Sequence, residues 1–165
     1  MAKVVLRLGD DVSTDAIYPG RFMATVLPAE TPQYAFADLK EFNARLNRKE
    51  IPAGSLIVAG RNFGCGSSRE QAVSCLKGHE LTVVARNFAR IFLQNSVNLG
   101  LRTLAVPDIE AAEGDEIEVA GGEVIHKGSG RRFRIEPLPG TRQAVIDAGG
   151  LIPYTRARLV AERGT

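Results

Sequence analysis

The sequence predicts an α/β fold, and three observations carry that prediction. Short apolar runs alternate with stretches of helical spacing between residues 55 and 106. A glycine-rich turn, Asn62-Phe63-Gly64-Cys65-Gly66-Ser67-Ser68-Arg69-Glu70, joins one of those runs to the helix after it. Beyond Pro107 the pattern changes to short segments of alternating polarity. Alternation of strand and helix gives a parallel βαβαβ core with right-handed crossovers, whereas alternating polarity between turns gives antiparallel hairpins. A chain of 165 residues suits one domain, residues 1–165, long enough to bury most of its apolar surface.

Each element follows from its residues. Lys3–Leu8 reads as a first strand. Residues 9–33 are rich in turn formers, among them Pro19-Gly20, Pro28 and Pro32, and read as one long, mobile loop. Phe36, Leu39, Phe42 and Leu46 recur at helical spacing. Next come a strand over 55–60, a helix over 69–77 closed by Gly78, a strand over 81–85, a helix over 88–98 and a strand over 102–106. Asn87 is placed to cap the second of these helices and Gly100 to end it. Asp115–Val119, Glu123–His126 and Arg132–Glu136 form the antiparallel hairpin region, with Lys127-Gly128-Ser129-Gly130 as a turn. The tail from Thr141 carries two short helical patterns separated by Gly149-Gly150 and Pro153.

Composition narrows the function. A net charge of +2 is too small to argue for nucleic acid as a partner. No apolar run approaches the roughly 20 residues that cross a membrane. Met1-Ala2-Lys3-Val4-Val5 enters a strand at once without the pattern of a signal peptide, so the expected compartment is the cytoplasm. The two cysteines, Cys65 and Cys75, have no zinc or redox spacing and cannot hold a cubane cluster by themselves. Cys75 falls on an apolar helix face, and Cys65 reads as a small filler between two glycines or as a reactive thiol at a helix start. His79 and His126 suggest neither a triad nor a metal pair.

The glycine-rich turn is where chemistry concentrates. A turn between strand and helix aims backbone N–H groups, and the positive end of the helix dipole, at one point suited to an anion. A P-loop would need a lysine after Gly66, a dinucleotide fingerprint a glycine at Arg69, and a nucleophile elbow glycines two residues either side of the serine. The residues match none of the three. Two readings stay open. Ser67-x-x-Glu70 and Ser68-x-x-Gln71 both fit a capping box, or the hydroxyls and Arg69 serve a bound carboxylate. Asp15, in Ser13-Thr14-Asp15, likewise reads either as a turn or cap residue or as part of a site.

Asn62 to Gly78 resembles the Gly-x-Gly-Ser-Ser-Arg-Glu segment of the swivelling domain of aconitase-like hydro-lyases. Asn87-Phe88-Ala89-Arg90-Ile91-Phe92 with Asn95 resembles that family's Ser-Phe-Ala-Arg-Ile segment, and Asp11 to Gly20 its Asp-Thr-Asp-x-Ile-x-Pro-Gly segment. The three occur in the family's order, and the resemblance spans nearly the whole chain, nearest to the separate small subunits of 3-isopropylmalate dehydratase and homoaconitase. It implies an aconitase-type swivelling β/β/α domain and a split hydro-lyase. It also implies a large subunit that carries the 4Fe-4S cluster, no metal bound by this chain, and a small hydroxy acid as substrate.

The resemblance also assigns roles. Ser67 would be the base, acting as an alkoxide stabilised by the turn, with Gly66 and Ser68 supplying N–H groups. Arg69 would clamp a substrate carboxylate through its planar fork. Ser68 would cap the helix or bond the substrate, and Asp15 would orient a histidine of the cluster-bearing part. Where the family often has histidine after the Arg-Glu pair, this chain has Gln71. Phe22-Met23-Ala24-Thr25 falls at the specificity loop of the small subunits. Homoaconitase-like loops carry arginine where Ala24 stands, so an alkyl-bearing acid such as isopropylmalate is the expected substrate. Arg21 is the one cation close by in the loop, and Phe22 and Met23 have a second reading as residues that fix the loop to the core.

Overall fold

A computed structural model describes residues 1–164. Its strands are β1 (Ala2–Arg7), β2 (Leu56–Ala59), β3 (Thr82–Ala85), β4 (Thr103–Ala105), β5 (Glu116–Ala120), β6 (Glu123–His126) and β7 (Arg132–Arg134). The helices are α1 (Thr14–Ile17), α2 (Lys40–Asn47), α3 (Glu70–Gly78), α4 (Arg90–Leu99), α5 (Gly140–Asp147) and α6 (Leu151–Arg163). One mixed sheet runs in the order β4-β3-β2-β1-β5-β6-β7. The strands β1 to β4 are parallel, and β5 joins the other edge of β1 antiparallel. Past β7 the chain returns to the far edge, where the Glu136 N–H donates to the Ala105 carbonyl at 2.8 Å. The sheet therefore curls back on itself.

Two cores follow from the period of two in the parallel strands. Val5, Ile57, Ala59, Val83 and Ala85 face one side, where they meet Phe42, Leu46, Val73, Leu76 and Phe92 of α2, α3 and α4. Val4, Leu56, Val58 and Val84 face the other, against Ile117, Val124 and Phe133 of the antiparallel strands. Burial on both faces explains why β2 and β3 are continuous apolar runs rather than alternating ones. The β5–β6 hairpin closes through Gly121-Gly122, both at positive φ (60° and 78°), which a two-residue turn of the right twist requires.

The fold corrects several local expectations. The segment 9–33 is not one free loop. It holds α1 and 3-10 turns at Gly20–Phe22 and Thr31–Tyr34, and Thr14, Ile17, Tyr18 and Thr31 are buried. A four-residue helix is too short to show a period. Helix α2 starts at Lys40 rather than Phe36, because Phe36 sits at φ 49° with its N–H on the Ile17 carbonyl. Asn87 does not cap α4: Ala89 is the N-cap, and the Asn87 Oδ1 accepts from the Asn62 N–H at 2.6 Å. Gly100 ends α4 in the left-handed region as expected, whereas α3 runs through Gly78 and Glu80 takes the positive φ. Pro153 lies in the first turn of α6 instead of breaking it. Among the described residues no helix is long and apolar enough to cross a membrane.

Candidate active site

The three segments singled out above meet at the C-terminal ends of β1, β2 and β3. Open α/β sheets bind ligands at that end. Residues 62–65 lie between the other two. The Gly64 N–H donates to the Val12 carbonyl (2.7 Å), and the Thr14 N–H to the Cys65 carbonyl (2.8 Å). On the other flank the Ala89 N–H donates to the Phe63 carbonyl (2.9 Å), and the Phe63 ring packs edge-on against Phe88 and Phe92. Gly64 (φ 84°) is forced by this contact, because a Cβ there would lie 2.2 Å from the Phe92 ring.

Beyond Gly66, itself at φ 90°, the chain turns out of the ladder. The Thr14 hydroxyl donates to the Ser67 carbonyl at 2.7 Å, and Arg69 is extended (φ −130°, ψ 104°). Helix α3 therefore begins only at Glu70, with Arg69 as an N-cap whose side chain makes no capping bond. Neither capping box forms. Instead Ser67 and Ser68 are exposed on the wall of a cleft of about 650 Å³, between the turn, the first turns of α4, and α5. The Ser67 hydroxyl has no partner among the described residues, and the N–H groups of Gly66, Ser67 and Ser68 meet no protein acceptor among them. The Ser68 Oγ accepts from Asn95 Nδ2 at 3.4 Å.

Arg69 is held from below. Its Nη1 donates to Asp15 Oδ1 at 2.6 Å and to the Tyr18 carbonyl at 3.0 Å. The Arg69 side chain is 16% exposed, against 64% for Asp15. Asp15 also accepts from the Gly20 N–H (2.9 Å), so it works both as a turn residue and as the positioner of Arg69. The guanidinium bond, and after it the Gly20 N–H, hold the Asp15 carboxyl below its ordinary value. A lowered folded-state value means that the pair adds stability above the ordinary value and loses it as pH falls through the lowered one. At this exposure the stability term is small. NMR titration should place the Asp15 midpoint below 3.8. In Arg69→Gln it should move back up toward that value, and no movement would mean that the pair does not form.

Phe22, Met23, Ala24 and Thr25, expected to form a specificity loop, do not line this cleft. Phe22 stacks on Tyr34 with ring centroids 4.1 Å apart and joins the larger core, and the Tyr18 hydroxyl lies 3.2 Å from the carbonyls of both Phe22 and Thr25. Met23 and Ala24 remain exposed. Gln71 Nε2 donates to the Met23 carbonyl at 3.3 Å, tying the loop to the first turn of α3. Arg21 is engaged by Asp38 at 2.6 Å and lies over the Phe22 ring.

None of Cys65, Cys75, His79 and His126 lines the cleft. Cys75 is buried, and burial pushes its thiol well up. Cys65 is half-buried between Gly64 and Gly66. His79 Nε2 meets the Pro32 carbonyl, and His126 links Asp115 (2.8 Å) to the Ser129 turn. Among the described residues no three His, Cys, Asp or Glu side chains gather as metal ligands, so the donor set does not fit a cubane cluster. Sequence reasoning assigned no site role to Thr14 or to Arg142, which reaches the cleft from α5. Thr14 sits inside a recognised segment, whereas nothing local marks Arg142.

A strand–turn–helix site of this composition, on a sheet of this order, defines a class. Residues 10–109, which include all three segments, match the aconitase C-terminal domain family, and the chain belongs to it. The 3-isopropylmalate dehydratase small subunit of Methanosarcina mazei is 41% identical over 161 residues, 95% of this chain and 96% of that one. That of Pyrobaculum neutrophilum is 42% identical over 154 residues, covering 90% and 91%. A crystal structure of 3-isopropylmalate dehydratase (leuD) from Methanocaldococcus jannaschii has a TM-score of 0.87 at 34% identity, over 98% of this chain and 96% of that one. Within its family the chain stands among the 3-isopropylmalate dehydratase small subunits, and the fold expected from the resemblance is the fold observed.

Proposed function

We propose that this chain is the small subunit of a 3-isopropylmalate dehydratase, a hydro-lyase that converts 2-isopropylmalate to 3-isopropylmalate by dehydration and rehydration in leucine biosynthesis. The observation that carries this reading is the Ser67 hydroxyl, unpartnered among the described residues and set beside Arg69 in an open cleft of a chain that aligns over 95% of its length with such a subunit. Removing a proton from carbon next to a carboxylate needs a base and a cation. Ser67 supplies the oxygen. The free N–H groups of Gly66 and Ser68 stabilise it as an alkoxide, and a low-dielectric, covered site would strengthen them. Arg69, with one nitrogen fixed by Asp15 and Tyr18, offers its remaining N–H groups to a substrate carboxylate. Ser68 lies within reach of the same substrate.

The half-site is exposed, and it calls for a cover. A large subunit would close it and carry the four-iron cluster, which when bound supplies the Lewis acid that helps hydroxide leave. Both subunits would work in the cytoplasm.

Met23 and Ala24 are proposed to select the alkyl branch once the cover is in place. A buried carboxylate without a cation is costly, so an acid with a third carboxylate should react poorly. Ala24→Arg should raise kcat/KM for a homocitrate-type acid and lower it for 2-isopropylmalate, each by about tenfold or more. The test is the reconstituted pair assayed on both acids. A wild-type preference for the tricarboxylic acid would overturn the assignment of substrate.

A further inference from the structure

The cleft beside Ser67 is lined by three arginines and by no carboxylate. Arg69 is paired to Asp15, so together they contribute no net charge. Arg90, the first residue of α4, and Arg142, in the first turn of α5, line the same cleft. Neither side chain makes a hydrogen bond, ion pair or ring contact among the described residues. Both are exposed, on helices joined where Val97 of α4 packs against Val145 and Ile146 of α5. The cleft therefore has an excess of two positive charges.

An alkylmalate carries two carboxylates. On the reading above Arg69 takes one, beside the serine oxygen, and within this chain the neutral Arg69–Asp15 pair leaves the dianion uncompensated. We propose that Arg142, with Arg90, holds the second carboxylate, so that α5, outside the segment shared with the wider family, sets the register of the substrate. The inference rests on the hydro-lyase reading above. Unpaired guanidiniums in a cleft raise the local concentration of an anionic substrate and can grip it bidentately, whereas the same groups against water gain little. Because the carboxylate they hold is not the one bonded to the carbon that loses its proton, they bind ground state and transition state nearly alike.

The test uses the complex with the large subunit. Arg142→Met should raise KM for 2-isopropylmalate about tenfold or more with kcat changed less than about threefold, the signature of uniform binding. The KM should also become less sensitive to salt, and Arg142→Lys should recover part of the loss. Titrating the large subunit against the variant separates substrate from partner. An unchanged KM overturns the inference. So does a shifted titration midpoint with KM intact, which would mean that Arg142 meets the large subunit. Wild-type complex inactive on every alkylmalate would instead overturn the hydro-lyase reading, and this inference with it.

Discussion

Ser67→Ala should lower kcat of the assembled enzyme by about 10³-fold while KM changes less than about threefold. Positioned acid–base groups contribute on the order of 10² to 10⁴. The hydroxyl has no partner among the described residues, and α3 starts three residues later, so its loss uncaps nothing. Stability should therefore hold, with Tm within about 2 °C of wild type. A residue that only capped α3 would behave in the opposite way, losing about 1 kcal/mol with catalysis intact. Melting and steady-state kinetics on the same variant decide between the two.

Gly64→Ala should be the most damaging small substitution near the site. The residue sits at φ 84°, which costs an L side chain roughly 1–2 kcal/mol. A Cβ there would also lie 2.2–2.6 Å from three atoms of Phe92, whose ring is wedged among Phe63 and Phe88. Forced repacking of that kind adds about 1–3 kcal/mol. The sum, roughly 2–5 kcal/mol, corresponds to a fall in Tm of about 5–15 °C for a chain of this length. Gly9→Ala is the control, since nothing lies within 4 Å of its added Cβ. Equal melting of the two variants would refute the packing argument. The Ser67 turn hangs from the ladder that Gly64 completes, so activity should fall with stability.

Much of this was legible in the sequence because it is written in local periods. Strands β2, β3 and β4 and helices α3 and α4 announce themselves by apolar runs of three or four and by helical spacing, and the antiparallel region by its turns. What the local pattern left open or misplaced was set at long range. Ser67 and Ser68 look like caps, yet the Thr14 hydroxyl, 53 residues away, takes the Ser67 carbonyl and pulls the turn open. Asn87 looks like a cap, yet its side chain is claimed by the Asn62 N–H. The pairing of Asp15 with Arg69 spans 54 residues and turns two separate assignments into one unit. Arg142 enters the cleft only because α5 packs on α4, a contact that no motif signals. The double role of β1, parallel to β2 and antiparallel to β5, is likewise a property of the whole sheet.

The most direct test is to purify this chain alone, purify its large subunit with the cluster intact, and follow 2-isopropylmalate by NMR with each alone and with both mixed. The account predicts no stoichiometric iron on this chain, no turnover by it alone, and appearance of 3-isopropylmalate on mixing, saturating as the two reach equal amounts. Iron bound stoichiometrically by the isolated chain, or turnover without the large subunit, would contradict it.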